Sequence, residues 1–451
     1  MSKAQHSAAH EPDTIRRNIT WSAINHFFVE GGMTLSDPAT VLPLMIREMG
    51  GSHMLAGLVP SVRLFGWLLP QFFVAAPLQR LQRYLPTVRV LEITRAAVYA
   101  GLALVLAGYG AGHTEMALPL FFALFVVARL AAGSSAVARA ELVARMVPPE
   151  QRSNVVSVRS FTGDIGGFGA GLLISVILGA QGLSFPLNYA WLLAISSASF
   201  LLAISALSAV VEPAGAPRGT SIDLKRQLAR TPALLRADRV FRQYIIARGI
   251  GDIAGIADPF YILYATEVLG VPPAMSGLYL AARMVVRMLS NLVWARTCRR
   301  HGNLWTFRTA RLLGALEPVA VLGFGLLRLL LWRDGLPPYA GILFALPFSL
   351  QGLAISANNI SRTSYLYEIA PDGDRPTYIG LSNTLLGPLQ FLPTLGGLLV
   401  TTVGYPAVFL LAAASAVASY LVTAGVHGPA STRPDGGASD VGQCAAATDA
   451  P

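Results

Sequence analysis

Long apolar runs are the feature that most constrains this chain. Stretches long enough to cross about 30 Å of hydrocarbon recur twelve times along its 451 residues. A soluble chain of this length covers its surface with charge, yet charged residues make up only 13% of this sequence and apolar residues 53%, against roughly 25% charged in soluble domains. The sequence therefore predicts a polytopic membrane protein and excludes a secreted, fibrous or disordered one.

The apolar runs predict helices, because every backbone N–H and C=O group in lipid needs a partner within the protein. The strands of an outer-membrane barrel would alternate in polarity and would not give such long runs. The predicted fold class is an all-α integral membrane protein with twelve transmembrane helices, near residues 19–46, 54–77, 89–109, 117–146, 154–180, 189–211, 241–266, 273–295, 305–331, 338–365, 377–402 and 405–424.

The distribution of basic residues predicts the orientation of the chain. With both termini in the cytosol, the tails, the inner loops and the cytosolic ends of the spans carry 23 of the 34 Lys and Arg residues, and the outer loops carry only Arg47 and Arg333. Since basic residues concentrate on the cytosolic side of membrane proteins, we expect a multi-pass protein of the bacterial inner membrane with both termini cytosolic. This bias also accounts for the net charge of +10, so no nucleic-acid partner is expected. The first 18 residues are polar, so no cleavable signal peptide is expected.

The two halves of the chain repeat. At an offset of 220, Gly50, Gly57 and Arg63 match Gly270, Gly277 and Arg283, and at an offset of 221 the Asp-Pro pair at 37–38 matches that at 258–259. A repeat of this kind predicts two pseudo-symmetric six-helix bundles related by an axis along the membrane normal. The predicted organisation is a cytosolic tail over 1–18, bundles over 19–211 and 241–424, a basic cytosolic middle loop over 212–240, and a disordered cytosolic tail over 425–451.

Local motifs support a family resemblance across about residues 19–424. Arg129 and Gly133 in the fourth predicted helix resemble the Arg-x-x-x-Gly motif of proton-coupled members of the major facilitator superfamily. Gly163, Gly167 and Gly171 in the fifth resemble the glycine spacing of its antiporters, although Phe168 stands where those have proline. The resemblance implies transport by alternating access, with the first and seventh helices lining a central cavity. It identifies no subfamily.

Charged residues within the predicted spans form matching sets in the two halves. Asp37 and Arg63 lie at similar depth on either side of the first outer turn, and Asp258 and Arg283 repeat this arrangement. Proline follows each Asp and predicts a kink. Each set is either a buried ion pair between adjacent helices or a group for gating, proton binding or substrate binding. Arg129 is a further candidate for ion pairing or gating.

Four carboxylates are candidates for proton coupling: Glu30, Asp37, Asp252 and Asp258. His26 and Glu30, like Arg248 and Asp252, are four residues apart and share a helix face, so pairing within the helix is the alternative. The buried acids Asp164 and Glu317 rank lower, because an arginine five or six residues earlier in the same helix could pair with each.

Polar side chains on predicted helices one and ten are candidates for substrate binding: Asn25, His26, Gln351, Asn358 and Asn359. Amides inside a membrane also join helices by hydrogen bonds, which is the alternative here.

The sequence predicts a transporter rather than an enzyme. It contains no Walker phosphate loop, so we expect no catalytic residues, no metal and no cofactor; the glycines of 163–171 indicate helix packing rather than nucleotide binding. The favoured function is proton-coupled secondary transport of a small organic solute, with export preferred, by a monomer whose partners are lipid, substrate and protons. The alternatives are import of an anionic solute and a non-transporting relative that senses a ligand or moves lipid.

Overall fold

A computed structural model of the chain describes residues 12–79, 81–110, 112–213, 234–332, 335–371 and 375–424. Within these residues every regular element is an α-helix or a short 3-10 helix. The prediction of an all-helical protein is therefore confirmed. The predicted disordered tail over 425–451 and most of the middle loop lie outside the described residues.

The chain divides into two compact units. Unit 1 is Met1–Ile222 with Pro272–Ala281, and unit 2 is Asp223–Val271 with Ala282–Pro451. In chain order, the helices before residue 222 are α1 (Pro12–Leu35), α2 (Val41–Glu48), α3 (His53–Gln79), α4 (Leu85–Tyr109), α5 (Thr114–Met146), α6 (Arg152–Gly179) and α7 (Leu187–Leu207). A short 3-10 helix, Pro149–Gln151, leads into α6.

The helices after residue 222 continue the numbering. They are α8 (Arg239–Asp252), α9 (Asp258–Glu267), α10 (Met275–His301), α11 (Asn303–Leu330), α12 (Pro338–Leu343), α13 (Ala345–Ile369), α14 (Arg375–Leu386), α15 (Leu392–Thr402) and α16 (Tyr405–Ala424). Two 3-10 helices, Ile253–Ala257 and Gly387–Phe391, join consecutive α-helices. The boundary between the units falls within α10, after Ala281.

Eight helical segments of the described residues are long and apolar enough to cross a membrane. They are Leu85–Tyr109, Thr114–Met146, Asn154–Gly179, Leu187–Leu207, Asn303–Leu330, Tyr339–Ile369, Thr377–Thr402 and Tyr405–Ala424. Each coincides with one of the predicted spans. The remaining four predicted spans are also helical, and the total of twelve membrane crossings stays a prediction.

Both Asp-Pro pairs interrupt a helix, as the sequence predicts. α1 ends at Leu35 and α2 begins only at Val41. In the second half a 3-10 segment follows α8, and α9 begins at Asp258 with Pro259 in its first turn. Proline has no N–H and clashes with the preceding turn of a helix, but it is tolerated at a helix start. The helix therefore stops before each proline and restarts around it.

The glycines matched by the sequence repeat share a backbone role. Gly50 has φ +82° and Gly270 has φ +74°, and each lies directly beyond the end of a helix that follows an Asp-Pro pair. This left-handed conformation ends helices and is accessible to glycine without a steric penalty. The repeat is thus present in the backbone conformation as well as in the amino-acid sequence.

Large apolar side chains cover much of the helix surface. Leu104, Phe73 and Leu331 are 73%, 70% and 69% exposed. Exposed apolar surface on this scale marks contact with another apolar phase, and for helices of this length that phase is the lipid hydrocarbon.

α1 begins at Pro12 rather than near residue 19, so part of the predicted polar tail is helical. Proline is favoured in the first turn of a helix because its missing N–H is not needed there. In unit 1 the amide of Asn18 donates to the carbonyl oxygens of Met146 (3.1 Å) and Val211 (3.2 Å). This polar end of α1 is therefore fixed to two neighbouring segments of the same unit.

Candidate functional site

The glycines of α6 bring that helix very close to α1. A Cβ atom at Gly163 would lie 2.7 Å from His26 Cδ2 and 3.4 Å from Glu30 Cβ, and a Cβ at Gly166 would clash with the backbone of Phe27. The packing interpretation of this glycine run is confirmed. His26 and Glu30 consequently face α6 inside unit 1.

The Arg-x-x-x-Gly motif on α5 lies against α3. A Cβ atom at Gly133 would lie 2.8 Å from Trp67 Cα, and a Cβ at Gly66 would lie 2.7 Å from Arg129 Cβ. The glycines of this crossing allow the two backbones to approach, and the approach buries Arg129.

The guanidinium of Arg129 contacts uncharged groups. It donates to the sulfur of Met33 at 3.6 Å and hydrogen-bonds the hydroxyl of Tyr99. Its charge repels those of Arg63 and Arg95. The Nε atoms of Arg63 and Arg129 are both buried without a hydrogen-bond partner among the described residues. Unit 1 therefore holds a region of excess positive charge.

Asp37 lies at the break between α1 and α2, where its carboxylate accepts a hydrogen bond from the N–H of Ala39 at 3.0 Å. This contact orients the carboxylate at the start of α2. Pairing of Asp37 with Arg63 stays a prediction.

A buried charge cluster on α4 and α5 was missed by the sequence analysis. Glu92 forms an ion pair with Arg95 at 2.7 Å, lies 3.8 Å from Arg139, and accepts a hydrogen bond from Ser135 at 2.5 Å. Arg95 also stacks over the ring of Phe200, 3.8 Å from its centroid. The spacing of Glu92 and Arg95, three residues apart on one helix face, was the signal that could have revealed it.

Asn25 makes a contact that joins helices. Its amide donates to the carbonyl oxygen of Ala203 on α7 at 2.7 Å. In unit 2 the hydroxyl of Ser419 on α16 donates in the same way to Ala247 on α8 at 2.6 Å. The two bonds join the corresponding pair of helices in each unit, with donor and acceptor helices exchanged, which favours the helix-joining alternative for Asn25.

A cluster rich in arginine surrounds Asp252 in unit 2. Its carboxylate lies 3.5 Å from Arg248 Nε and 3.6 Å from Arg311 Nη1. Arg362 adds a third positive charge, which repels the first two. We call Arg248, Asp252, Arg311 and Arg362 the basic cluster. The contact between Arg248 and Asp252, predicted from their spacing, is present.

Two side chains adjoin the basic cluster. Arg311 donates to the side-chain oxygen of Asn358, and Arg248 donates to the hydroxyl of Ser382 at 3.2 Å. Asn358, one of the predicted substrate-binding amides, thus contacts a charged group, the guanidinium of Arg311. Asn359 is half-buried beside it on α13.

A second cluster in unit 2 is rich in acid. The buried carboxylate of Glu317 on α11 lies near the carboxylate of Asp258, the guanidinium of Arg283 and the side chain of Gln351. Arg283 donates to the Gln351 side-chain oxygen at 3.1 Å. We call Asp258, Arg283, Glu317 and Gln351 the acidic cluster. Three of these four were predicted site residues, and the structure brings them together.

The environment of Glu317 corrects one expectation. Arg311, six residues earlier on the same helix, was a possible partner of Glu317, but Arg311 binds Asp252 and Asn358 instead. Six residues correspond to about 600° of helical rotation at 3.6 residues per turn, so the two side chains leave the helix in different directions. Glu317 belongs with Asp258.

Comparison with known proteins identifies the fold. Residues 250–443 match the sequence profile described as Major Facilitator Superfamily. A search of curated proteins found no match.

Several solved transporters share the fold. A D-xylose–proton symporter is 14% identical, with a TM-score of 0.69 over 91% of this chain and 97% of that one. A mutant of the nucleoside transporter NupG is 13% identical, with a TM-score of 0.67 over 91% and 99%. A mutant of the peptide transporter POT in complex with sulfate is 14% identical, with a TM-score of 0.65 over 94% and 99%. At these identities the likeness extends to the fold and not to the substrate.

Proposed function

We propose that this chain is a transporter of the major facilitator superfamily, whose sequence profile matches residues 250–443, that it moves a small organic solute by alternating access, and that it couples that movement to protons. The proposal includes twelve membrane helices in two six-helix bundles, residence in a bacterial inner membrane, cytosolic termini and a monomeric state. Alternating access follows from the rocking of such bundles about a central site.

The acidic cluster is the observation that carries proton coupling. It places two carboxylates, Asp258 and Glu317, in the same cluster as one arginine, Arg283. With both acids ionised, the formal charge of the cluster is negative. Two carboxylates that share one site do not ionise together at neutral pH without a large energetic penalty, so the cluster can hold one proton and release it when its surroundings change.

The sequence next to the two acids also supports a site that changes. Proline follows both Asp258 and Glu317. Pro318 lies inside α11 and removes one hydrogen bond from that helix, which makes bending next to Glu317 easier. Pro259 lies in the first turn of α9, directly after the 3-10 segment that interrupts the helix at Asp258.

The other candidate acids have different roles in this proposal. Asp252 has two arginine partners, so it serves a structural or gating role rather than proton transfer. Glu30 and Asp37 remain candidates for proton coupling in unit 1. Export is preferred because of the arginine and glycine motifs of α5 and α6, and import of an anionic solute is the alternative that the buried arginines favour.

The test begins with a ligand. A thermal-shift screen of metabolites and drugs on the purified protein identifies one, since a ligand that binds the folded state raises Tm. The labelled ligand is then followed in proteoliposomes, once under an imposed pH gradient and once as exchange without a gradient. The variants are Asp258→Asn and Glu317→Gln, with Glu115→Gln, an exposed acid at the start of α5, as the matched control.

We expect both cluster variants to lose gradient-driven accumulation while exchange continues, and the control to behave as the unmodified protein. A coupling acid must release its proton in one state of the cycle, and an amide has none to release. Gradient-driven accumulation by both cluster variants at the unmodified rate would refute coupling through this cluster, and Glu30 and Asp37 would be tested next.

A further inference from the structure

The basic cluster of unit 2 carries more positive than negative charge. Arg248, Arg311 and Arg362 surround one carboxylate, that of Asp252. Arg248 and Arg311 are 6% and 7% exposed. Charge buried to this extent within a membrane protein is costly unless it is compensated, and Asp252 compensates only one of the three guanidinium groups.

Arg362 is the guanidinium of the cluster that Asp252 does not contact directly. Its side chain makes no hydrogen bond or ion pair with any other described residue, and its electrostatic neighbours include one carboxylate, that of Asp252, and two guanidinium groups, those of Arg248 and Arg311. Its position on α13 is half-buried. Arg362 is therefore a half-buried guanidinium near two others, and its N–H groups have no hydrogen-bond acceptor among the described residues.

The cluster can be reached from outside the protein. The side chain of Asp252 is 18% exposed although two arginines bind it. Asn358 accepts from Arg311 through its side-chain oxygen, which leaves its amide N–H₂ group able to donate. Donors on α8, α11 and α13 thus surround a partly open position.

We propose that the basic cluster binds an oxyanion of the transported solute, a carboxylate or a phosphate group. This inference rests on the proposed transport function and names its substrate class. Guanidinium groups present planar, paired donors that match the two oxygens of such an anion. Arg362 is the principal ligand, Arg311 and the Asn358 amide assist, and Asp252 holds Arg248 and Arg311 in place while the site is empty.

The proposal makes a specific claim about Asp252. Its carboxylate occupies the same guanidinium groups that the ligand needs, so it competes with the bound anion. Neutralising Asp252 should lower the stability of the empty protein and strengthen anion binding. A purely structural ion pair would lose stability on neutralisation without any gain in anion binding.

The test measures binding in detergent, without a membrane gradient. Succinate and inorganic phosphate are the probes, and chloride at matched ionic strength is the reference; Tm and isothermal titration are the readouts. The variants are Arg362→Gln, Arg362→Lys and Asp252→Asn. Arg299→Gln, which removes an exposed arginine near the end of α10 in the same unit, controls for the loss of one positive charge.

We expect at least one probe to bind the unmodified protein, and the stronger of the two decides between carboxylate and phosphate. Arg362→Gln should weaken that binding by about tenfold or more, which is the scale of one lost charged contact. The affinity of Arg362→Lys should lie between those of Arg362→Gln and the unmodified protein, and Arg299→Gln should bind with unchanged affinity. Asp252→Asn should bind more tightly than the unmodified protein.

Three results would overturn the proposal: neither probe binds the unmodified protein, Arg362→Gln binds as the unmodified protein does, or Asp252→Asn binds less tightly. Should Arg362→Gln fail to fold, Asp252→Asn and Arg362→Lys still decide. The proton test is separate, because Asp258→Asn and Glu317→Gln should retain anion binding. Because proton coupling and anion binding are measured separately, the results identify which of the two proposals is wrong.

Discussion

At the scale of single residues, the balance of charge differs sharply between neighbouring sites in unit 2. Arg283 serves two acids in the acidic cluster, whereas Asp252 serves three arginines in the basic cluster. In each cluster, the residue of opposite charge stabilises the residues around it. Neutralising that residue should therefore lower the free energy of unfolding more than neutralising one of the residues around it.

We predict that Arg283→Gln is more destabilising than Asp258→Asn. The first change leaves the buried carboxylate of Glu317 and the half-buried carboxylate of Asp258 without the nearby guanidinium, a loss on the order of 3–5 kcal/mol. The second leaves Arg283 with Glu317 as a partner. The double variant Asp258→Asn with Arg283→Gln should recover part of the loss. Thermal unfolding of the purified variants measures this, and equal melting of both single variants and the double variant would disprove the pairing.

At the scale of elements, proline and glycine set the form of the two matching helices. An Asp-Pro pair interrupts the first helix of each half, and the segment that follows ends at a glycine with positive φ. Both effects are local properties of the backbone. For that reason the sequence predicted a kink at each pair, although not that the first would separate two α-helices and the second would pass through a 3-10 segment.

We predict that Gly50→Ala and Gly270→Ala each destabilise their unit by about 1–2 kcal/mol, because an L side chain is strained in the left-handed region. Open space surrounds both positions, so the change tests backbone strain without steric overlap. Gly108→Ala, in open space within α4, is the control and should be neutral or stabilising. A neutral result at one of the two turns would show that the halves differ there.

At the scale of the whole molecule, the repeat extends to contacts that the sequence comparison did not detect. Tyr189 donates to Glu48 at 2.9 Å in unit 1, and Tyr405 donates to Glu267 at 2.5 Å in unit 2. In each unit the bond joins the end of the first predicted span to the start of the last. Matching contacts of this kind are what a duplicated bundle should retain.

We predict the orientation of the whole chain from its basic residues. In a background with Cys298→Ser and Cys444→Ser, a cysteine at Ser52→Cys, in the exposed turn before α3, should react with a membrane-impermeant maleimide added to intact spheroplasts. A cysteine at Arg300→Cys, exposed at the end of α10, should react only after lysis. The 23-to-2 distribution of basic residues is the physical reason, and the opposite labelling pattern would reverse the topology.

The sequence by itself determined the all-helical membrane class, the family resemblance, a kink at each Asp-Pro pair and the shared helix face of Arg248 and Asp252, whose pairing was one of two alternatives. Each of these depends on composition or on residues close together in the chain. Long apolar runs leave helices as the favoured structure in lipid, proline acts within one turn, and a spacing of four residues shares a helix face.

Only the tertiary structure decided which distant charges meet. Glu317 lies near Asp258 rather than pairing with Arg311, and Arg311 forms an ion pair with Asp252. Glu92 lies in a separate buried charge cluster. These contacts depend on how separate helices rotate and pack, and a change of one residue in helical phase turns a side chain by about 100°. Spacing along one helix does not contain that information, because the partner lies on another helix.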